Sequence, residues 1–152
     1  MKREGNILYF EPQERDRFFH AIRLIGAFKK CDSEKVTELV QHEQAHIDKS
    51  RGLGYRECIN SFSIKPEKKR VRAYVEFIED SIPFSDLAKI TLAPDKPSFR
   101  DLGNGAKLLG YNLLGRINLF YRAVKCDPHN FDLYIHNCLS NQLNEGKSRG
   151  FS

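Results

Sequence analysis

Residues 57–78 alternate apolar and polar side chains on both sides of a basic turn, and this pattern constrains the fold most. Before the turn, Phe62 and Ile64 alternate with serines. After the turn, apolar side chains recur at every second position, namely Val71, Ala73, Val75 and Phe77. Alternation with a period of two predicts a β-strand on each side, and therefore an antiparallel hairpin.

A helix competes with the second strand of this hairpin. Val71, Tyr74, Val75 and Ile78 also fit a spacing of three to four residues, so residues 67–80 are open to either structure. The β-branched and aromatic content of the segment favours the strand.

The rest of the chain predicts mostly helices. Asp32 or Ser33 is a suitable cap for the second of them. The predicted elements are, in chain order, a strand at 6–10, helices at 13–30 and 33–49, the hairpin at 57–78, an irregular segment at 81–102 with a short strand at Lys89–Leu92, and helices at 104–125 and 128–143. The helix at 104–125 carries six apolar side chains along one face, namely Leu108, Leu109, Leu113, Ile117, Phe120 and Val124.

These elements predict an α+β fold. It consists of a small antiparallel sheet with a protruding basic hairpin, two N-terminal helices and a C-terminal helical hairpin. The length of 152 residues suits a single domain, expected over residues 1–145, with a frayed polar tail at 146–152. No apolar run approaches 18 residues, so we expect no membrane span and an intracellular protein, cytoplasmic or nuclear.

The positive charge of the chain is concentrated in one short segment. The formal net charge is +5, and residues 65–72 hold five basic side chains against one acidic one. A local cluster of this kind indicates a polyanionic partner. We therefore predict a nucleic-acid-binding domain that needs no cofactor and is compatible with a homo-oligomer. Phosphate contacts are expected from Lys65, Lys68, Lys69, Arg70 and Arg72, and base stacking from Tyr74.

A second motif supports a different function. His42-Glu43-Gln44-Ala45-His46 lies in the second predicted helix and resembles the HExxH zinc-binding helix of the zincin metallopeptidases. Histidines at positions i and i+4 lie on one helical face and bind one Zn²⁺, while the intervening glutamate acts as general base. The resemblance implies a zinc hydrolase with His42 and His46 as ligands and Glu43 as the base.

The third zinc ligand stays open at this point. Glu76 and Asp80 resemble the E-x-x-x-D pair of the gluzincin subgroup, in which the glutamate is a ligand. That pairing needs residues 67–80 to be helical, and it fails if they form a strand.

A third function class is a protein-interaction module that uses the C-terminal helical hairpin and binds neither metal nor nucleic acid.

Overall fold

The α+β class is confirmed in a computed structural model that describes residues 1–145. The described residues contain six α-helices and one four-stranded antiparallel sheet. They form two compact units, Met1–Ser81 and a second one that begins at Ile82. The single domain expected over residues 1–145 stays a prediction, and the expected tail at 146–152 lies outside the described residues.

The sheet belongs to the first unit, and each of its strands is antiparallel to the next. The strand order is β1-β2-β3-β4. The predicted hairpin is present as β3 and β4, so residues 70–77 form a strand and not a helix. The strands are β1 (Lys2–Glu4), β2 (Ile7–Phe10), β3 (Ile59–Glu67) and β4 (Arg70–Phe77).

The edge strand β1 was not expected from the sequence. All three of its residues are charged and exposed, so it lacks the apolar alternation that predicts a strand. It forms because a two-residue turn, Gly5-Asn6, returns the chain along β2. Gly5 has a φ of 61°, a conformation that glycine adopts without steric cost.

The two predicted N-terminal helices are present, and they pack on one side of this sheet. They are α1 (Arg15–Phe28), which follows a 3₁₀ turn at Pro12–Glu14, and α2 (Ser33–Gly52). Asp32 caps α2 because its side chain accepts a hydrogen bond of 2.9 Å from the backbone N–H of Glu34. The cations Lys49 and Arg51 lie in the last turn, where the helix dipole favours positive charge.

The core of the first unit is centred on aromatic rings. Phe18 of α1 is fully buried and stacks on Phe62 of β3 with a centroid distance of 4.6 Å. Phe10 of β2 meets the same Phe18 ring edge-on at 5.9 Å. Val40 and Ile47 of α2 and Ala73 of β4 belong to the same buried cluster. These contacts attach α1 and α2 to three adjacent strands.

Up to residue 145 the second unit contains four helices, and two predictions made for it are wrong. The helices are α3 (Phe84–Thr91), α4 (Phe99–Leu108), α5 (Leu113–Cys126) and α6 (Phe131–Asn144). The short strand expected at Lys89–Leu92, in a segment expected to be irregular, is part of α3 and its C-cap. Leu87, Ala88 and Ile90 are buried there on one helical face, so burial of that face decides against the strand.

The continuous helix expected at 104–125 is also wrong, because the chain breaks between α4 and α5. Gly110 has a φ of 90°, and the N–H of Tyr111 donates to the carbonyl of Ala106 at 3.0 Å. This is a glycine-dependent way of ending a helix. Asn112 then caps α5 by accepting a 2.7 Å hydrogen bond from the N–H of Gly115. The predicted C-terminal helical hairpin is formed by α5 and α6.

A tight contact between α3 and α4 holds the second unit together. The α-carbon of Gly105 lies so close to Leu92 that an added Cβ would be only 2.7 Å from a methyl carbon of that leucine. Leu92 belongs to a buried cluster that also contains Leu102, Ala106, Leu119 and Leu139. Among the described helices, none is long and apolar enough to cross a membrane.

We expect Gly105→Ala to destabilise the protein by about 1–3 kcal/mol relative to Gly103→Ala, because the new methyl group overpacks the contact with Leu92. Gly103 lies in the same helix with no atom within 4 Å of an added Cβ. The change at Gly103 should therefore gain up to about 1 kcal/mol of helix propensity. Thermal unfolding of both variants measures the difference, and equal melting temperatures would contradict this description of the contact.

Candidate functional site

Helix α2 brings the three candidate residues of the HExxH motif together. The Nε2 atoms of His42 and His46 are 3.3 Å apart, and the two rings are nearly perpendicular, with an interplanar angle of 80°. One possible ligand atom from each of His42, Glu43 and His46 lies within 4.8 Å of the other two. Within residues 1–145, this is the one such group of three or more histidine, cysteine or acidic side chains.

The burial of this group is unusual for charged and polar side chains. Glu43 is 6% exposed and His46 is 7% exposed, while His42 is half-buried. Glu43 follows Val40 and precedes Ile47 on the side of α2 that faces the core, a position where the helical pattern calls for an apolar residue. Burying a carboxylate is costly, and such carboxylates are concentrated at functional sites.

The separation of the two histidine nitrogens matches the geometry of a metal site. Zinc–nitrogen bonds of about 2.0–2.1 Å at a tetrahedral angle place two ligand nitrogens about 3.3–3.4 Å apart. The observed distance of 3.3 Å has this value, and it is also a hydrogen-bonding distance between the two ring nitrogens. Because both side chains come from one helix, a single helical turn suffices to hold them there.

Glu76 is not brought to this group, although the sequence offered it as a third ligand. It lies in β4, three residues after the buried Ala73, so the two side chains are on opposite sides of the sheet. Ala73 shares the core with α2, which places Glu76 on the side of the sheet away from the histidines. Because residues 70–77 form a strand, the helical E-x-x-x-D relation of Glu76 to Asp80 is absent.

The basic residues expected to bind nucleic acid lie at and near the turn of the β3–β4 hairpin. Lys68, Lys69 and Arg70 are exposed at the tip. Ile64 is the last residue of β3 that pairs with β2. Beyond it, β3 and β4 pair with each other as far as Glu67 and Arg70. Lys69 has a φ of 59°, a left-handed conformation that strains a lysine.

Lys65 and Arg72 are direct cross-strand partners, so two like charges stand opposite each other. The Nε of Arg72 also forms a 3.0 Å ion pair with Glu67. A hydrogen bond between the side chains of Arg72 and Tyr74, together with the charge of Glu67, raises the pKa of Arg72 above its ordinary value.

Tyr9 lies on the same side of the sheet as Tyr74, and the sequence did not predict this. Tyr9 of β2 pairs with Ser63 of β3, and Ser63 pairs with Tyr74 of β4, so the three residues form a row across the sheet. At a strand spacing of about 4.8 Å, the two tyrosines are about 10 Å apart, on either side of a small serine. Only the register of β2 against β3 reveals this row.

Comparisons with known proteins give no family assignment. The chain matches no protein-family model, no curated protein and no solved structure.

The strained turn residue provides a test of the hairpin. We expect Lys69→Gly to raise the free energy of unfolding by about 0.5–1 kcal/mol, because glycine adopts a positive φ without the steric cost that lysine pays. Lys30, with a φ of 56° at the end of α1, is a matched control. Lys30→Gly should stabilise the protein by a similar amount, as measured by chemical denaturation. A loss of stability in Lys69→Gly would argue against the left-handed turn.

Proposed function

We propose that α2 carries the centre of a zinc-dependent hydrolase, with His42 and His46 as metal ligands and Glu43 as general base. The observation that supports this function best is the 3.3 Å separation of the two Nε2 atoms, with a buried carboxylate next to them. Two histidines would occupy two of four tetrahedral positions, which leaves one for a further ligand and one for water or substrate.

The three side chains divide the chemistry of hydrolysis among them. When bound, zinc supplies a Lewis acid that activates water and polarises the substrate carbonyl. Glu43 accepts a proton from the water as the water oxygen forms a bond to the carbonyl carbon. The bond from that carbon to the leaving nitrogen or oxygen then breaks, and Glu43 returns the proton to the leaving group. The buried position of Glu43 fixes its carboxylate beside the ligand nitrogens.

We expect Glu43→Gln to keep zinc but to lower kcat by at least about 100-fold, because an amide cannot accept the proton. His42→Ala/His46→Ala should lose zinc altogether. Native mass spectrometry of protein prepared with zinc and without chelators measures the metal content. A library of quenched-fluorescent peptides, read alongside, measures turnover.

Glu34→Gln is the matched control, since Glu34 is exposed in the first turn of the same helix, two turns before His42. It should retain both zinc and turnover. Zinc bound by the double histidine variant as tightly as by the wild type would refute the metal centre. Zinc binding that depends on both histidines, without turnover on any peptide, would refute the hydrolase and leave a non-catalytic metal site.

We also propose that the hairpin and the outward side of the sheet bind single-stranded nucleic acid. The observation that favours this second function is the row of Tyr9, Ser63 and Tyr74 next to the basic tip. Tyrosine rings on a sheet offer stacking surfaces for bases, and each stacked base contributes about 1–3 kcal/mol. Cations at the edge of the row would neutralise the phosphates between those bases.

Two features of the hairpin support an anionic ligand. Lys65 and Arg72 stand opposite each other, so a phosphate between them would relieve their mutual repulsion. Lys68, Lys69 and Arg70 are exposed together at the tip, where their charges are accessible to a polyanion. Glu67 offsets part of this positive charge through its ion pair with Arg72.

We expect Lys68→Ala/Lys69→Ala/Arg70→Ala to weaken binding of a labelled oligonucleotide and to flatten the dependence of log Kd on log salt by roughly 2–3 units. Fluorescence anisotropy over a series of salt concentrations measures both quantities. Tyr74→Leu should weaken binding of a single strand more than that of a duplex, because only unpaired bases are free to stack.

The control for this experiment removes three exposed lysines elsewhere in the same unit. Lys29→Ala/Lys30→Ala/Lys35→Ala takes the same charge from the C-terminal end of α1 and the first turn of α2. If this control flattens the salt dependence as much as the hairpin variant does, binding follows net charge and the hairpin has no special role.

A further inference from the structure

Helix α5 exposes an unusual amount of apolar surface. Six of its fourteen residues are large apolar side chains that are at least one-third exposed, and we call them the α5 outer stripe. Their exposed fractions are 66% for Leu113, 65% for Leu114, 53% for Ile117, 47% for Phe120, 69% for Tyr121 and 37% for Val124.

The core of the second unit does not account for this stripe. The helix is anchored there by a different side, formed by Gly115, Leu119 and Ala123, which are buried. These three residues recur every four positions and suffice to dock the helix. The outer stripe is therefore a second apolar side, and monomeric proteins rarely leave a contiguous patch of this kind without a use for it.

Aromatic contacts extend the patch beyond α5. Phe131, at the start of α6, meets Phe120 edge-on with a centroid distance of 5.4 Å. The same ring stacks on Phe99, at the start of α4, at 5.9 Å, and Phe99 is 67% exposed. The outer stripe and these rings form one continuous surface built from three helices.

The charges of α5 indicate what this surface contacts. The helix contains Arg116, Arg122 and Lys125 but no aspartate or glutamate. At 3.6 residues per turn, Arg116 lies on one flank of the outer stripe, and Lys125 and Arg122 lie on the other. An apolar stripe rich in Leu, Phe and Tyr between basic flanks is typical of helices that lie in the interface of an anionic bilayer.

We propose that the α5 outer stripe docks the protein on an anionic phospholipid surface, a function beyond the proposed hydrolase and nucleic-acid sites. The leucine, isoleucine and phenylalanine side chains would enter the interface, while the three cations would meet the headgroup phosphates. With fourteen residues, α5 is about 21 Å long and would lie on the membrane, since crossing needs about 30 Å.

A lipid surface suits this patch better than a second copy of the chain does. In a symmetric dimer the same patch faces itself, so the basic flanks of two α5 helices would approach each other without acidic partners on those helices. A bilayer also adapts to the shape of an apolar surface, whereas a protein partner must offer a surface of matching shape.

The test compares binding of the full chain to two kinds of vesicle by co-sedimentation. One kind contains phosphatidylcholine alone, and the other contains equal amounts of phosphatidylcholine and phosphatidylserine. We expect binding to the second kind only, and a drop of at least about tenfold in Ile117→Asp/Phe120→Asp, which withdraws two apolar side chains from the interface. Arg116→Ala/Arg122→Ala/Lys125→Ala should lose at least as much on phosphatidylserine vesicles.

Leu24→Asp is the matched control, because Leu24 is 57% exposed on α1 in the first unit. It should bind vesicles like the wild type. Thermal unfolding verifies that each variant folds. If Ile117→Asp/Phe120→Asp does not fold, Leu113→Ser/Tyr121→Ser replaces it. Vesicle binding that survives the loss of the outer stripe would overturn the proposal. Absence of binding to either vesicle would also overturn it. Self-association that Ile117→Asp/Phe120→Asp abolishes, measured by light scattering, would then assign the face to a second copy.

Discussion

The stacking of Phe18 on Phe62 is the contact on which the first unit depends. Both rings are fully buried, and Phe10 closes the cluster from a third element. This contact attaches α1 to the centre of the sheet, and α2 packs into the same core through Val40 and Ile47. The orientation of α2, and with it the position of the two histidines, therefore follows from aromatic packing made elsewhere in the sequence.

The sheet of this unit has two sides with different side chains. Val71, Ala73 and Val75 face the helices and complete the core. Arg72 and Tyr74, which alternate with them, occupy the other side. The two sets of residues are separated because successive side chains of a strand point to opposite sides of the sheet. As a result, changes to the basic and aromatic side need not disturb the side on which the histidines are held.

Features that depend on residues close together in the sequence could be predicted, and features that depend on distant residues could not. The hairpin and the convergence of His42 with His46 depend on local spacing, and both could be read from the sequence. The break at Gly110 was missed because Leu109 and Leu113, four residues apart, remain in phase with the helix period across it. Strand β1 was missed because its charged residues carry no pattern, and the row of Tyr9 with Tyr74 required a register between distant strands. The position of Glu76 depends on whether residues 70–77 form a strand or a helix. The sequence favoured the strand but left both structures open.

The spacing of His42 and His46 on one helix also bears on the order of events during folding. An ion bound by both side chains would clamp a single turn of α2, and forming the first turn is the costly step in making a helix. That step needs none of the long-range contacts of the sheet, since both ligands are local in sequence. Metal would then favour α2 in the unfolded chain as well as in the native state, so part of its effect would appear as faster folding and not only as greater stability.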